Sequence, residues 1–279
     1  MGFTCDKKVA AAYKLHQIDT EDKMCGICGF TGYRQDQKTV IERMMKAIEH
    51  RGPDSEGSFC REKITLGFRR LSIIDLEDGQ QPMESADGNL HIVFNGEIYD
   101  YKELRAELEA FGISFCTHSD TEVLVNTIQL YGEKALNKLR GMFGFAVWNE
   151  QEQSLMLARD FFGIKPVYYA EIDGHFVFAS EIKSILAFPG YERKVNQKAL
   201  EQYLSFQYSP LEETFFRGIY KLMPGHMLLY KNGNYEIKTY FKTKLTPDKW
   251  NRKTNMDQLR SQLAEILKDS VKHHMLSDV

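Results

Sequence analysis

Apolar runs that double back on themselves fill the middle of this chain and limit its fold more than any other feature. Residues 143–158 (FGFAVWNEQEQSLMLA) read as one hairpin, and residues 167–179 (VYYAEIDGHFVFA) as another that turns at Asp173-Gly174. Short β-prone runs broken by a polar or Asp-Gly dipeptide are the mark of antiparallel pairing. Further strands are expected at 64–68, 90–94 and across 216–240, the last with turns at Gly225 and Asn232-Gly233. Val40, Ile41, Met44, Met45 and Ile48 fall at helical spacing, and helices are expected at about 101–111 and 121–131. Hairpins grouped between helical blocks predict an α+β layered sandwich rather than a doubly wound sheet.

With 279 residues, 43% hydrophobic and 27% charged, the chain can bury a real core as one large or two ordinary domains. Its 36 basic and 39 acidic side chains give a formal charge of −3. No basic excess points to nucleic acid or to anionic lipid, so neither is an expected partner. No apolar run is long enough to span a bilayer, and Asp6, Lys7, Lys8, His16 and Asp19 interrupt any secretory core at the start. A cytoplasmic location follows as the expectation. Cys5, Cys25, Cys28, Cys60 and Cys116 are odd in number and irregular in spacing, which argues against a disulfide framework.

Residues 1–23 read as a separate segment, a short helical stretch at 9–15 followed by the polar run Asp19-Thr20-Glu21-Asp22-Lys23. At Met24 the character changes to Cys25-Gly26-Ile27-Cys28-Gly29-Phe30, the small-residue, apolar start of a buried strand. A polar linker at 242–254 leads to a final amphipathic helix with Leu259, Leu263, Ile266, Leu267 and Val271 on one face.

Met24-Cys25 is the most informative dipeptide. Removal of a methionine before Cys25 would leave a free α-amine, whose unperturbed pKa near 7.7–8.0 lies close to that of the thiol. Such a residue carries its own general base and needs no histidine. A buried structural cysteine is the default for any single Cys. The Cys25–Cys28 spacing also fits a redox or half-zinc motif, but no second Cys or His pair follows at metal spacing. No metal is expected in this chain.

Several segments, taken in order, resemble the class II glutamine amidotransferase domain of asparagine synthetases, N-terminal-nucleophile hydrolases. They are Met24-Cys25-Gly26-Ile27, His50-Arg51-Gly52-Pro53-Asp54, Arg70-Leu71-Ser72-Ile73-Ile74-Asp75, Asn95-Gly96-Glu97-Ile98-Tyr99 and Ser119-Asp120-Thr121-Glu122. Arg159-Asp160, Gly163-Ile164-Lys165-Pro166 and Ala179-Ser180-Glu181-Ile182-Lys183 continue the likeness, which runs from Met24 to Val279. The resemblance implies a four-layer αββα sandwich with Cys25 as nucleophile. It implies that Arg70 clamps the α-carboxylate of glutamine, in a site with Leu71, Ser72, Ile73 and Ile74, and that Asp120, assisted by Glu97, pairs with the α-ammonium. Asn95 and the Gly96 N–H would form the oxyanion hole, with Gly96 letting the backbone approach the developing charge. Asn-Gly is also a hairpin signal, so turn and hole could coincide, and Ser119 or Asp120 could cap the following helix. His50–Asp54 reads as a loop framing the pocket, and Gly163–Pro166 as structural.

The chain departs from this pattern in two places. Residues 1–24 precede the nucleophile, as a propeptide or an upstream start, and Met24 sits where a natural initiator would. Residues 25–240 match the glutaminase unit, whereas 241–279 match only a linker and the first helix of a synthetase domain, without its pyrophosphate-binding loop. ATP and Mg²⁺ are thus expected only for that further domain, a partner in cis, and no cofactor for this part. A homodimer is compatible with the resemblance. The rival readings are another class II amidotransferase, feeding a phosphoribosyl or hexosamine acceptor, and a non-catalytic glutamine sensor.

Overall fold

The structure, a computed structural model, describes residues 24–71, 79–244 and 255–275. The expected helical stretch at 9–15 lies outside the described residues. Two six-stranded antiparallel sheets form the centre. The first has the order β10 (Ile219–Lys221), β8 (Tyr168–Ile172), β9 (His175–Ala179), β1 (Gly26–Thr31), β3 (Ile64–Arg70), β2 (Ser55–Cys60). The second runs β12 (Asn234–Thr239), β11 (His226–Lys231), β7 (Ser154–Arg159), β6 (Gly141–Asn149), β5 (Leu90–Ile98), β4 (Met83–Glu84). The hairpins at 143–158 and 167–179 appear as β6–β7 and β8–β9. At the second turn Asp173 and Gly174 both take positive φ, 50° and 79°, the backbone that a two-residue hairpin loop requires.

Three apolar clusters account for four layers. Ile27, Leu66, Phe68, Val93, Trp148, Leu157 and Phe178 meet between the sheets. Cys28, Phe30, Ile41, Met44 and Ile185 join the outer face of the first sheet to α1 (Gln37–Lys46) and α4 (Ile182–Leu186). Ile92, Phe94, Leu104, Leu124, Ile128 and Phe145 join the second sheet to α2 (Tyr101–Ala110) and α3 (Asp120–Tyr131). The αββα sandwich is therefore the observed architecture. Both sheets are covered on both faces, so β3 is buried at all seven positions instead of alternating. Each Phe or Leu so enclosed contributes about 1.5–3 kcal/mol.

Two helices lie more openly. In α5 (Gln197–Phe206) only Ala199 is buried. The last helix, α6 (Met256–His274), buries none of its residues. Leu263, Ile266, Leu267 and Val271 are exposed along it. It touches the sandwich through Arg140, which meets Asp269 at 2.6 Å, and through His274, whose ring lies 4.4 Å from that of Tyr99.

Candidate active site

Side chains on a strand alternate between faces, so residues two apart share one. Ile27, Phe68 and Val93 all point into the core between the sheets. One step further toward the same end of the sandwich, that parity places Cys25 before β1, Arg70 at the end of β3, and Asn95 then Glu97 on β5. The apolar filling of the inter-sheet layer thus gives way to polar groups at one mouth. Met24, Cys25, Phe68, Arg70, Leu71, Asn95, Gly96, Glu97, Asp120 and Lys165 line the pocket there. Of the residues expected to bind glutamine, Ser72, Ile73 and Ile74 lie outside the described residues.

Cys25 is held from two sides. The Leu71 N–H points at its sulfur at 3.4 Å, and Arg51 Nε donates to its carbonyl at 3.0 Å. Burial pushes the thiol pKa up, opposed by the Leu71 backbone and the positive charges of Arg70 and Lys165. Cys28 points away from the pocket, into the cluster under α1, where burial pushes its thiol up to about 12. It is a packing residue of β1.

Asn95 is 1% exposed, and its Nδ2 has no hydrogen-bond partner among the described residues. A buried amide donor without a partner is costly. Here it belongs to a pocket that also contains the Cys25 thiol. The Asn95-Gly96 turn does not form, because β5 runs straight through both residues, paired opposite Gly144 and Phe143 of β6. The reason for Gly96 differs as well. A Cβ there would sit 2.1 Å from the Met142 carbonyl oxygen and 2.8 Å from the Phe143 Cα, so the neighbouring strand excludes any side chain.

Ser119 caps α3 by accepting from Thr121 N at 3.2 Å, leaving Asp120 as the first helical residue. Asp120 Oδ2 accepts from Ile98 N at 3.0 Å, tying the helix to the end of β5. Burial raises its carboxyl pKa to about 7, against the backbone donors of Ile98 and Thr121. Glu97 is likewise raised by burial, with Lys165 opposing. As pH falls through about 7, Asp120 takes up a proton and loses the charge that would pair with an ammonium. KM for an α-amino substrate should therefore rise severalfold between pH 8 and pH 6, measured by initial rates.

Gln81 and Lys165 line the pocket and Arg51 braces Cys25 beside it, and none of the three was given a site role by sequence. Arg51, read as part of a framing loop, is 4% exposed and bridges the Cys25 carbonyl to Glu181 Oε1 at 3.0 Å. Gly52 lets that loop cross β3, since a Cβ would lie 2.4 Å from the Arg69 backbone. Gln81 clasps β5, donating to Phe94 O and Thr121 Oγ1 and accepting from Phe94 N at 2.6 Å. Lys165 corrects the structural reading of Gly163–Pro166. The loop is indeed pinned, by Asp160 accepting from Phe162, Ile164 and Lys165 N–H groups. The lysine side chain nevertheless enters the pocket, where Nζ meets the Met24 sulfur at 2.8 Å. No local pattern around Lys165 distinguishes that reach.

Two sandwiched antiparallel sheets, with a cysteine at the head of an inner strand, define an N-terminal-nucleophile amidotransferase fold. The glutamine phosphoribosylpyrophosphate amidotransferase of B. subtilis shares it at TM-score 0.60 and 20% identity, over 78% of this chain and 50% of that one. Residues 24–241 match the glutamine amidotransferase domain, and the chain belongs to that family. It is 45% identical to asparagine synthetase [glutamine-hydrolyzing] 1 of Bacillus subtilis across 91% of its own length, and 35% identical to amidase chry2 of Gibberella zeae across 92%. It spans only 41% and 40% of those proteins, about two-fifths of each. Among the described residues no helix is long and apolar enough to cross a membrane.

Proposed function

We propose that this chain hydrolyses glutamine to glutamate and ammonia once Cys25 is its first residue. The Cys25 thiol gives its proton to its own α-amine, and the sulfur attacks the side-chain amide carbon. Asn95 Nδ2 and the Gly96 N–H receive the developing oxyanion. The amine then protonates the departing ammonia, and water hydrolyses the thioester to glutamate. Arg70 would hold the α-carboxylate and Asp120, with Glu97, the α-ammonium. The observation that carries this reading is the buried, unpartnered Asn95 amide in one pocket with Cys25.

In this proposal residues 25–240 form the glutaminase unit, residues 1–24 are absent from the active species, and 241–279 lead into a further domain. The relatives favour an asparagine-forming acceptor reaction there, drawing on ATP and Mg²⁺, within the cytosol. A diazoketone analogue of glutamine tests the site directly. Protein beginning at Cys25 should gain one covalent adduct by intact mass, located at Cys25 and absent in Cys25→Ser. Failure to label, or labelling that survives this substitution, would refute the proposal.

A further inference from the structure

Lys165 is 6% exposed, and the acceptor for its ammonium is a thioether, a weak one. Buried lysines are rare unless well paired. Its backbone leaves it little freedom, because Lys165 N donates to Asp160 Oδ2 at 2.9 Å and Arg159 Nε donates to Lys165 O at 3.0 Å. The side chain is therefore aimed at the first residues of the family match by a fixed loop. When Met24 is absent that sulfur is gone, and the atom nearest its former attachment is the α-amine of Cys25.

We propose that Lys165 is a positioning residue of the glutaminase reaction, its ammonium keeping the freed Cys25 α-amine unprotonated near neutral pH. The inference rests on the proposed glutaminase reading. A fixed positive charge disfavours a second one beside it, and only the neutral amine can take the thiol proton. The charged and titratable groups that face Lys165 are Glu97 from β5, Arg51 from the loop before β2, Cys25 ahead of β1 and Asp160 after β7. Arg70 and Asp120 also act on Cys25. Burial lowers the Lys165 pKa and raises that of Glu97, while each group favours the charged form of the other.

The test uses protein beginning at Cys25 and carrying [¹³Cα]cysteine, with the pH titration of the Cys25 Cα resonance as the readout. In the unsubstituted protein the amine midpoint should lie below the ordinary 7.7–8.0. Lys165→Met should raise it by about one pH unit, with about a tenfold fall in kcat at pH 6.5 and little change in KM. Lys165→Arg should keep the midpoint, and Lys165→Gln serves if the Met variant does not fold. An unchanged midpoint on removing the charge, or a fall in kcat without a shift, overturns the proposal. The titration needs no turnover, so a dead glutaminase would defeat the functional reading and still leave Lys165 decided.

Discussion

Protein that begins at Cys25 should release ammonia from glutamine at least about 100-fold, and up to about 10,000-fold, faster than the same chain with residues 1–24 attached. With Met24 in place the nitrogen of Cys25 is a planar amide, its lone pair delocalised into the preceding carbonyl and useless as a base. The structure adds a second obstacle. Met24 itself lines the pocket, its N–H bound to the Arg51 carbonyl at 3.0 Å and its sulfur on Lys165. The two obstacles separate experimentally. Met24→Gly in the longer chain should restore glutamine binding, seen by calorimetry, and leave turnover low, because the amide persists. Coupled glutamate dehydrogenase assays on sequence-verified protein decide the matter. Equal turnover by both forms would exclude an N-terminal amine as the base.

Asn95→Ala should lower kcat by about 100- to 1,000-fold while changing KM for glutamine by less than about threefold. The donor matters only when the carbonyl oxygen gains charge, so the loss falls on the transition state and not on binding. Stability should move the other way from a usual polar-to-Ala change. The Nδ2 group is buried without a partner, so removing it relieves an uncompensated desolvation, and the melting temperature should hold or rise. Asn95→Asp should be at least as inactive, since a carboxylate would face the oxyanion. A large fall in melting temperature for Asn95→Ala would mark the amide as structural.

Much of this was legible from the chain, where local chemistry decided the outcome. Asp173-Gly174 turns as its residue types require, and the helical spacing of Val40, Ile41, Met44 and Met45 reappears as the buried face of α1. Cys25, Asn95, Gly96 and Asp120, which the resemblance singled out, line one pocket. What stayed hidden depended on partners far along the chain. Asn95-Gly96 carries a turn signal, yet Gly144 and Phe143 hold it extended. No strand was expected at β2, which forms because β3 pairs with it from Ser55 to Cys60. Lys165 meets a residue 141 positions earlier, and Gln81 joins β5 to α3 without any period or motif to announce it.

The strand that bears Asn95 and Glu97 is matched to β6 over nine consecutive pairs, from Leu90 opposite Asn149 to Ile98 opposite Gly141. Catalytic groups on a loop can drift by small steps as neighbouring residues change. Here a slip of one position would swing Asn95 under the helices and carry Phe94 inward, inverting every side chain along the strand. Evolution can exchange what surrounds Asn95 and Glu97, but has no gradual route by which to relocate them.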